Sequence, residues 1–305
     1  MPAGVVLVPS PHAANLVDDV VAQARRAHEI GVRQIWLAQQ LDLDAIALAA
    51  IVGAAVPGLA VGTSVVPINP RHPLVIAALA QTAQAASHGA FSLGLGLGAH
   101  DIERQAFGIA ATHTIARLRE QLTVLRAVFD DGAVDHHGEH FTAAPPWPVR
   151  VAGGTPIPVY VAAMGPKALR VTGELADGTM PYLAGPRTIA EFIVPTITQA
   201  ATDAGRPPPR VLAGVPVAVT DDIDSGRDAA AAGLALYDTI PSYQRVVERE
   251  GLTSAAELAV IGSAETVRRG LAAYRDAGAT DIVVSPLLRD DRAASEALWR
   301  VVAAL

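Results

Sequence analysis

The chain of 305 residues has no cysteine, one lysine and few aromatics, with Trp, Tyr and Phe together at 4%. Without cysteine there are no disulfides, no thiolate metal ligands and no thiol nucleophile. Charged residues are also scarce, at 17%, and the formal net charge is −7, which argues against a nucleic-acid partner. A membrane span is missing as well. The most apolar stretch, Ala45–Val61, is marginal in length and broken by Pro57-Gly58, so it reads as a buried helix followed by a buried strand. Met1-Pro2-Ala3-Gly4 lacks the basic start of a signal peptide. The expectation is a cytoplasmic protein with neither membrane nor nucleic acid as partner. Arginine supplies every basic residue except Lys167, a bias read as genomic rather than functional.

Glycine, by contrast, is concentrated at one place. Residues 91–98 read Phe-Ser-Leu-Gly-Leu-Gly-Leu-Gly. Side chains alternate between the faces of a strand. One face therefore carries Phe91, Leu93, Leu95 and Leu97, and the other carries only Ser92, Gly94, Gly96 and Gly98. Glycine in a strand marks close approach to the backbone. Either a flat ring lies over the bare face, or the glycines relieve crowding inside a narrow barrel.

One junction recurs along the chain: a helical stretch ends in Gly, and an apolar β-branched run follows. Gly31 leads to Gln34–Ala38, Gly205 to Val211–Ala213 and Gly278 to Asp281–Ser285. Glycine just past a helix, then a strand, is an αβ joint. Continuous apolar strands alternating with helices imply parallel strands covered by helices. Eight strands are expected, near 4–8, 34–38, 59–65, 91–97, 158–163, 178–181, 211–219 and 281–285. Eight such units in one chain favour an α/β class (β/α)8 TIM barrel with insertions, spanning 1–305 as one domain. The inserted segments fall near 132–157, with a hairpin at Val134–Thr142, and near 220–262. Ser254 with Glu257 fits a capping box in the second.

In such barrels the active site lies at the C-terminal ends of the strands. The residues after those ends include His12, Gln39, Gln40, Ser64, Val65, Gly98, His100, Ala163, Met164, Gly165, Pro181 and Tyr182. This rim has few charges and no acid cluster, so neither a divalent metal nor a paired-carboxylate glycosidase site is expected. A polar, mostly uncharged rim suits an organic cofactor that carries its own reactivity. Gly94-Leu95-Gly96-Leu97-Gly98-Ala99 matches G-x-G-x-x-A, but it lies on the fourth strand and lacks the later acid of a dinucleotide fold.

Several stretches together resemble the luciferase-like monooxygenase superfamily, in particular its coenzyme F420-dependent oxidoreductase branch. They are Val61–Pro67, Arg71-His72-Pro73, Ala77–Ala86, Gly89–Gly98, Arg117–Glu120, Gly138–Phe141, Pro158–Pro166 and Glu174–Gly178, with weaker agreement in Ala277–Leu287. The resemblance implies a luciferase-like barrel, a homodimer, and a tricyclic ring at the C-terminal mouth. It also implies a non-proline cis peptide at Ser64-Val65 behind that ring. Gln39, Ser64, Val65, Gly96, Gly98, Ala163, Met164, Gly165, Pro181 and Tyr182 are then the cofactor-binding candidates. Relatives often carry an acid–His pair at the positions of Gln39 and Gln40, and dehydrogenase relatives an acid at Ala99. These departures disfavour an alcohol or sugar dehydrogenase. The implied function is hydride transfer between coenzyme F420 and a small organic substrate. The alternatives are a monooxygenase using FMN and a barrel that binds a flavin without turnover.

His100, beside the glycine face, is the candidate proton-transfer residue, since imidazole titrates near neutrality. Gln40 is placed with it at the catalytic rim, although an amide moves no proton. His12 is the candidate substrate contact. His72 opens a helix and reads as structural. His136, His137 and His140 fall in the hairpin, expected on the side away from the mouth, and make no metal site. Arg117 and Glu120, three apart, are expected to pair. Lys167, in the first turn after Gly165, suits a nearby anion.

Overall fold

The computed structural model describes residues 2–98, 100–109 and 112–305. Eight parallel strands close into a barrel: β1 (Ala3–Leu7), β2 (Gln34–Leu37), β3 (Ala60–Thr63) continued by β4 (Val66–Pro67), β5 (Phe91–Gly96), then β8 (Val159–Val161), β9 (Gly178–Thr179), β10 (Arg210–Val219) and β12 (Asp281–Pro286). β6 (His136–His137) and β7 (Thr142–Ala143) form the antiparallel hairpin. β12 pairs with β1, and β9 with β10, which completes the ring. β11 (Val260–Gly262) was not anticipated; it adds in parallel to the mouth end of β10.

The helices α1 (Leu16–Ile30), α2 (Ala45–Ala55), α3 (Pro73–Ala86), α4 (His100–Phe107), α5 (Thr114–Asp131) and α6 (Pro166–Leu175) surround the first strands. α7 (Pro186–Thr188) runs through a π turn at Ile189–Ile193 into α8 (Val194–Asp203). α9 (Ile223–Leu234) and α10 (Pro241–Glu250) form most of the second insertion, before α11 (Ala264–Asp276) and α12 (Arg292–Ala303). Gly31, Gly205 and Gly278 all take positive φ at their helix ends, as the junction pattern implies. Ser254 and Glu257 form the full capping box. No described helix is long and apolar enough to cross a membrane.

The bore is packed rather than open. Trp36 fills it, fully buried, with Val6, Tyr160, Met180, Leu212 and Val283 around it. Its indole fits because Gly4 and Gly62 carry no side chain where the ring lies. Val8 and Val65 cover this column from the mouth side and are only partly buried.

The hairpin lies elsewhere than expected. It climbs between α3 and α5 to the mouth end, where Thr142 O bonds His72 Nε2 at 3.0 Å and Phe141 packs edge-on against the His72 ring. His72 itself caps α3 by accepting from Leu74 N. Glu120 holds the hairpin there instead of pairing with Arg117. Its carboxylate accepts from the N–H groups of Glu139, His140 and Phe141 at 2.9–3.3 Å, and His136 Nε2 lies 3.4 Å away. Burial works to raise the Glu120 pKa, but these donors together outweigh it and hold the carboxyl below its usual range.

A carboxyl held low in the folded state adds stability that is present above its unfolded pKa of about 4.3 and lost as pH falls through the folded value. Glu120→Gln is therefore expected to lose about 1–2 kcal/mol at neutral pH. The gap to wild type should close as pH falls below about 4. Urea unfolding of both proteins across that range measures it, and a gap independent of pH would show that shape, not charge, holds the hairpin.

Candidate active site

The mouth is built on one packing event. Between Gly62 and Val66 the third strand spends four steps where β5 spends three, from Ser92 to Leu95, so one residue is extra. This is a β-bulge, and it re-aims the strand end. The Ser64-Val65 peptide inside it is cis. The bulge lies over the glycine face. A Cβ on Gly94 would collide with Thr63 O, and one on Gly96 would sit 2.6 Å from Val65 Cγ2. Thr63 Oγ1 donates to Gly94 O and accepts from Gly94 N, both at 2.9 Å. Of the two sequence readings, relief of crowding is therefore correct for Gly94 and Gly96. The bare face receives this chain's own atoms, and the surface turned to the mouth above it is the partly exposed side of Val65 and Ser64.

Gln39 is consumed locally. Its amide nitrogen donates to Gln40 O and Leu43 O, and its oxygen accepts from Ala45 N and Arg71. Arg71 also pairs with Asp44. Gln39 thus ties the loop after β2 to the start of α2, and Gln40 points outward, exposed. His12 is exposed too, at the edge of a cleft of about 370 Å³ shared with Ser10, Asp19, Arg289 and Trp299.

Gly98 takes φ +87, and a Cβ there would run into the carboxylate of Glu103, which α4 turns back over the strand end. Glu103 is 3% exposed. Sequence reading passed over it, because an acid seven residues beyond a strand carries no signal until a short helix folds it inward. The side chain of His100, the first residue of α4, lies outside the described part.

On the opposite wall Ala163 is buried, and Met164 and Gly165 lead into α6. No side chain caps that helix, and a Cβ on Gly165 would meet nothing within 4 Å. Lys167 is exposed there. Pro181 is buried beside Tyr182, whose ring meets Tyr237, which in turn meets Tyr243, at centroid distances of 5.3 and 4.7 Å. Burial, with Tyr237 beside it, pushes the Tyr182 hydroxyl far above the ordinary tyrosine range, so it stays a neutral donor. Tyr237 and Tyr243 come from the second insertion, which therefore forms a wall of the mouth. Among the described residues no group of three or more His, Asp or Glu could hold a metal.

The family model for luciferase-like monooxygenases matches residues 3–281. A 5,10-methylenetetrahydromethanopterin reductase of Methanolobus tindarius is 26% identical over 265 residues, 86% of this chain and 79% of that protein. Among solved structures, an F420-dependent secondary alcohol dehydrogenase in complex with an F420-acetone adduct superposes with a TM-score of 0.83 at 18% identity, over 98% of this chain and 97% of that one. The oxygenating constituent of 3,6-diketocamphane monooxygenase from Pseudomonas putida, in complex with FMN, superposes with a TM-score of 0.78 at 16% identity, over 99% and 97%. At these identities the structures share the fold. The chain spans about three fifths of the length of the first curated relatives it matches, uncharacterized mycobacterial proteins 27% identical over 206 residues (63% of this chain, 61% of each of them).

The packing at Gly96 is open to a direct check. Gly96→Ala should destabilise by about 1–3 kcal/mol, because the new methyl meets Val65. Val65→Ala in the same chain should recover much of that loss, a coupling that a double-mutant cycle by chemical unfolding reads out. Additive losses would mean that Val65 does not occupy the glycine face.

Proposed function

We propose that this chain, which belongs to the luciferase-like monooxygenase family, is a coenzyme F420-dependent oxidoreductase moving hydride between the deazaflavin and a small organic substrate. The observation that carries the reading is the apolar platform of Val65 and Val8 at the mouth, set above a filled bore. A planar tricyclic ring fits such a platform, because it needs contact area more than charge. A relative of Mycobacterium tuberculosis that is 25% identical over 313 residues, 85% of this chain and 88% of that protein, is named a putative coenzyme F420-dependent oxidoreductase, which supports the deazaflavin over FMN.

When bound, the reduced deazaflavin supplies a hydride at C5 and reacts poorly with oxygen. Ser64 and Val65 would support one ring face, with Gly96 and Gly98 keeping the strand behind them slim. Met164 and Gly165 would receive the phosphate-bearing tail at the open first turn of α6, with Lys167 beside it. Ala163 and Pro181 shape that wall. Tyr182 would offer an uncharged hydroxyl to the substrate side, and His12 and Gln40 stand at the outer rim, where a substrate enters. His100 remains the proposed proton donor to the reduced substrate.

Binding by fluorescence quenching tests this reading. Coenzyme F420 should bind at about micromolar Kd, and FMN at least about tenfold more weakly. Preference for FMN would move the protein to oxygen-using chemistry, and binding of neither would leave the fold alone standing.

We propose a second copy of this chain as its partner. α2 and α3 pack side by side, and neither carries a charged residue. Their outer sides expose Ala47, Ile51 and Ala54, and Val75, Ala78 and Thr82. Ile51 is 45% exposed and Val75 51%. A charge-free patch can meet its own copy across a twofold axis without opposing like charges. Ile51→Glu should convert a dimer to monomers in light scattering after gel filtration without lowering the melting temperature of the monomer. A monomeric wild type would rule the dimer out.

A further inference from the structure

Glu103 is a buried carboxylate for which the mouth as described gives no use. Its Oε2 accepts from Asn69 Nδ2 at 3.3 Å. Asn69, itself 5% exposed, accepts from Arg117 Nε at 3.2 Å through its own oxygen, and the Arg117 guanidinium lies 4.7 Å from the centre of the Phe141 ring. One side of the carboxylate is thus held by a chain of groups that are held in turn. The other oxygen, Oε1, is buried and has no hydrogen-bond partner. It stands over Gly98, at the end of the strand whose lower glycines receive Val65. No Arg, Lys or His among the described residues forms an ion pair with it.

A carboxylate that serves only the framework spends both oxygens. Glu120 shows this on the next helix, where its two oxygens take three backbone N–H groups. Leaving one acceptor of a buried charge unused is costly, and proteins keep such groups where a ligand completes them. The acceptor is single and has no second acid beside it, so the matching group is an uncharged N–H or O–H rather than a metal ion.

We propose that Glu103 is a ligand-binding residue of the mouth, its free Oε1 accepting a hydrogen bond from an N–H or O–H of the bound heterocycle or substrate, with Asn69 and Arg117 as positioning residues. This assignment rests on the reading of the mouth as a deazaflavin or flavin site. Glu103→Gln tests it, because the amide oxygen keeps the bond from Asn69 while an NH2 replaces the free acceptor. Wild type and variant are melted without ligand, then titrated with coenzyme F420 and with FMN. The expected result is a ligand-free melting temperature at or above wild type, within about 2 °C. Affinity for whichever chromophore wild type binds should fall at least about tenfold. A variant that melts well below wild type, or that binds with wild-type affinity, assigns Glu103 to the framework and overturns the proposal. If wild type binds neither chromophore, the cofactor reading fails separately. The ligand-free melts then decide Glu103 alone: a melting temperature at or above wild type supports a ligand role, and a lower one refutes it.

Discussion

Everything at the mouth depends on one exchange of volume: a carbonyl oxygen and a valine side chain occupy the space that two glycines leave empty. Thr63 O lies against Gly94 and Val65 against Gly96, and the Thr63 hydroxyl clamps the Gly94 peptide from both sides. Only with this room can the third strand bulge and then pair again with β5 at Val66 and Pro67. The next residues inherit their places from that pairing. Asn69 reaches Glu103, Arg71 reaches Gln39 and Asp44, and His72 caps α3 and receives the hairpin. A side chain at position 94 would displace backbone, which cannot yield as a side-chain tip can, so its effect would spread along this whole segment.

Much of the fold was legible because periodicity and glycine placement are local signals. The β-branched runs, the αβ joints at Gly31, Gly205 and Gly278 and the capping box at Ser254 each depend on a few adjacent residues. The alternation at 91–98 told equally well that something must approach the backbone closely. It could not tell what, since a ligand ring and the chain's own third strand demand the same missing side chains. The hairpin was legible as a hairpin but not in its place, because Glu120 anchors it across 19 to 21 residues of sequence. Gln39 shows the same limit. A polar residue just past a strand end looks free to meet a ligand until the loop folds back and uses every atom of its amide. β11 and α4 escaped notice because three and eight residues are too few for a periodic pattern to form.

Five of the aromatic residues line the bore and the mouth. Trp36 and Tyr160 meet at 6.3 Å inside the bore, where they close the barrel from below. Tyr182, Tyr237 and Tyr243 meet edge to face at the mouth, where the second insertion meets the ends of β9 and β12. Burial keeps the hydroxyls of Tyr182 and Tyr243 from ionising, so this wall offers area and neutral hydrogen bonds but no charge. With β11 extending β10 beside it, the insertion is bound into the sheet rather than hung from it, and the shape of the pocket follows the sheet.

This division of labour constrains the chemistry the mouth can support. Acid–base catalysis needs groups that change protonation where substrate sits. Here the described rim offers an amide already committed at Gln39, an exposed amide at Gln40, a neutral phenol at Tyr182 and an apolar floor. Among the described residues near the strand ends, His12 and Glu103 are the groups able to exchange a proton. A reaction whose electrons come from a bound cofactor needs no more than one such group, because the difficult bond change is made by the ring and the protein has only to align the two reactants. A hydrolytic or metal-assisted reaction would need several charged groups converging on one atom. The described rim does not converge on one atom: Arg71 is paired with Asp44, Lys167 is exposed, Glu103 stands alone as a buried carboxylate, and the central surface is Val8 and Val65.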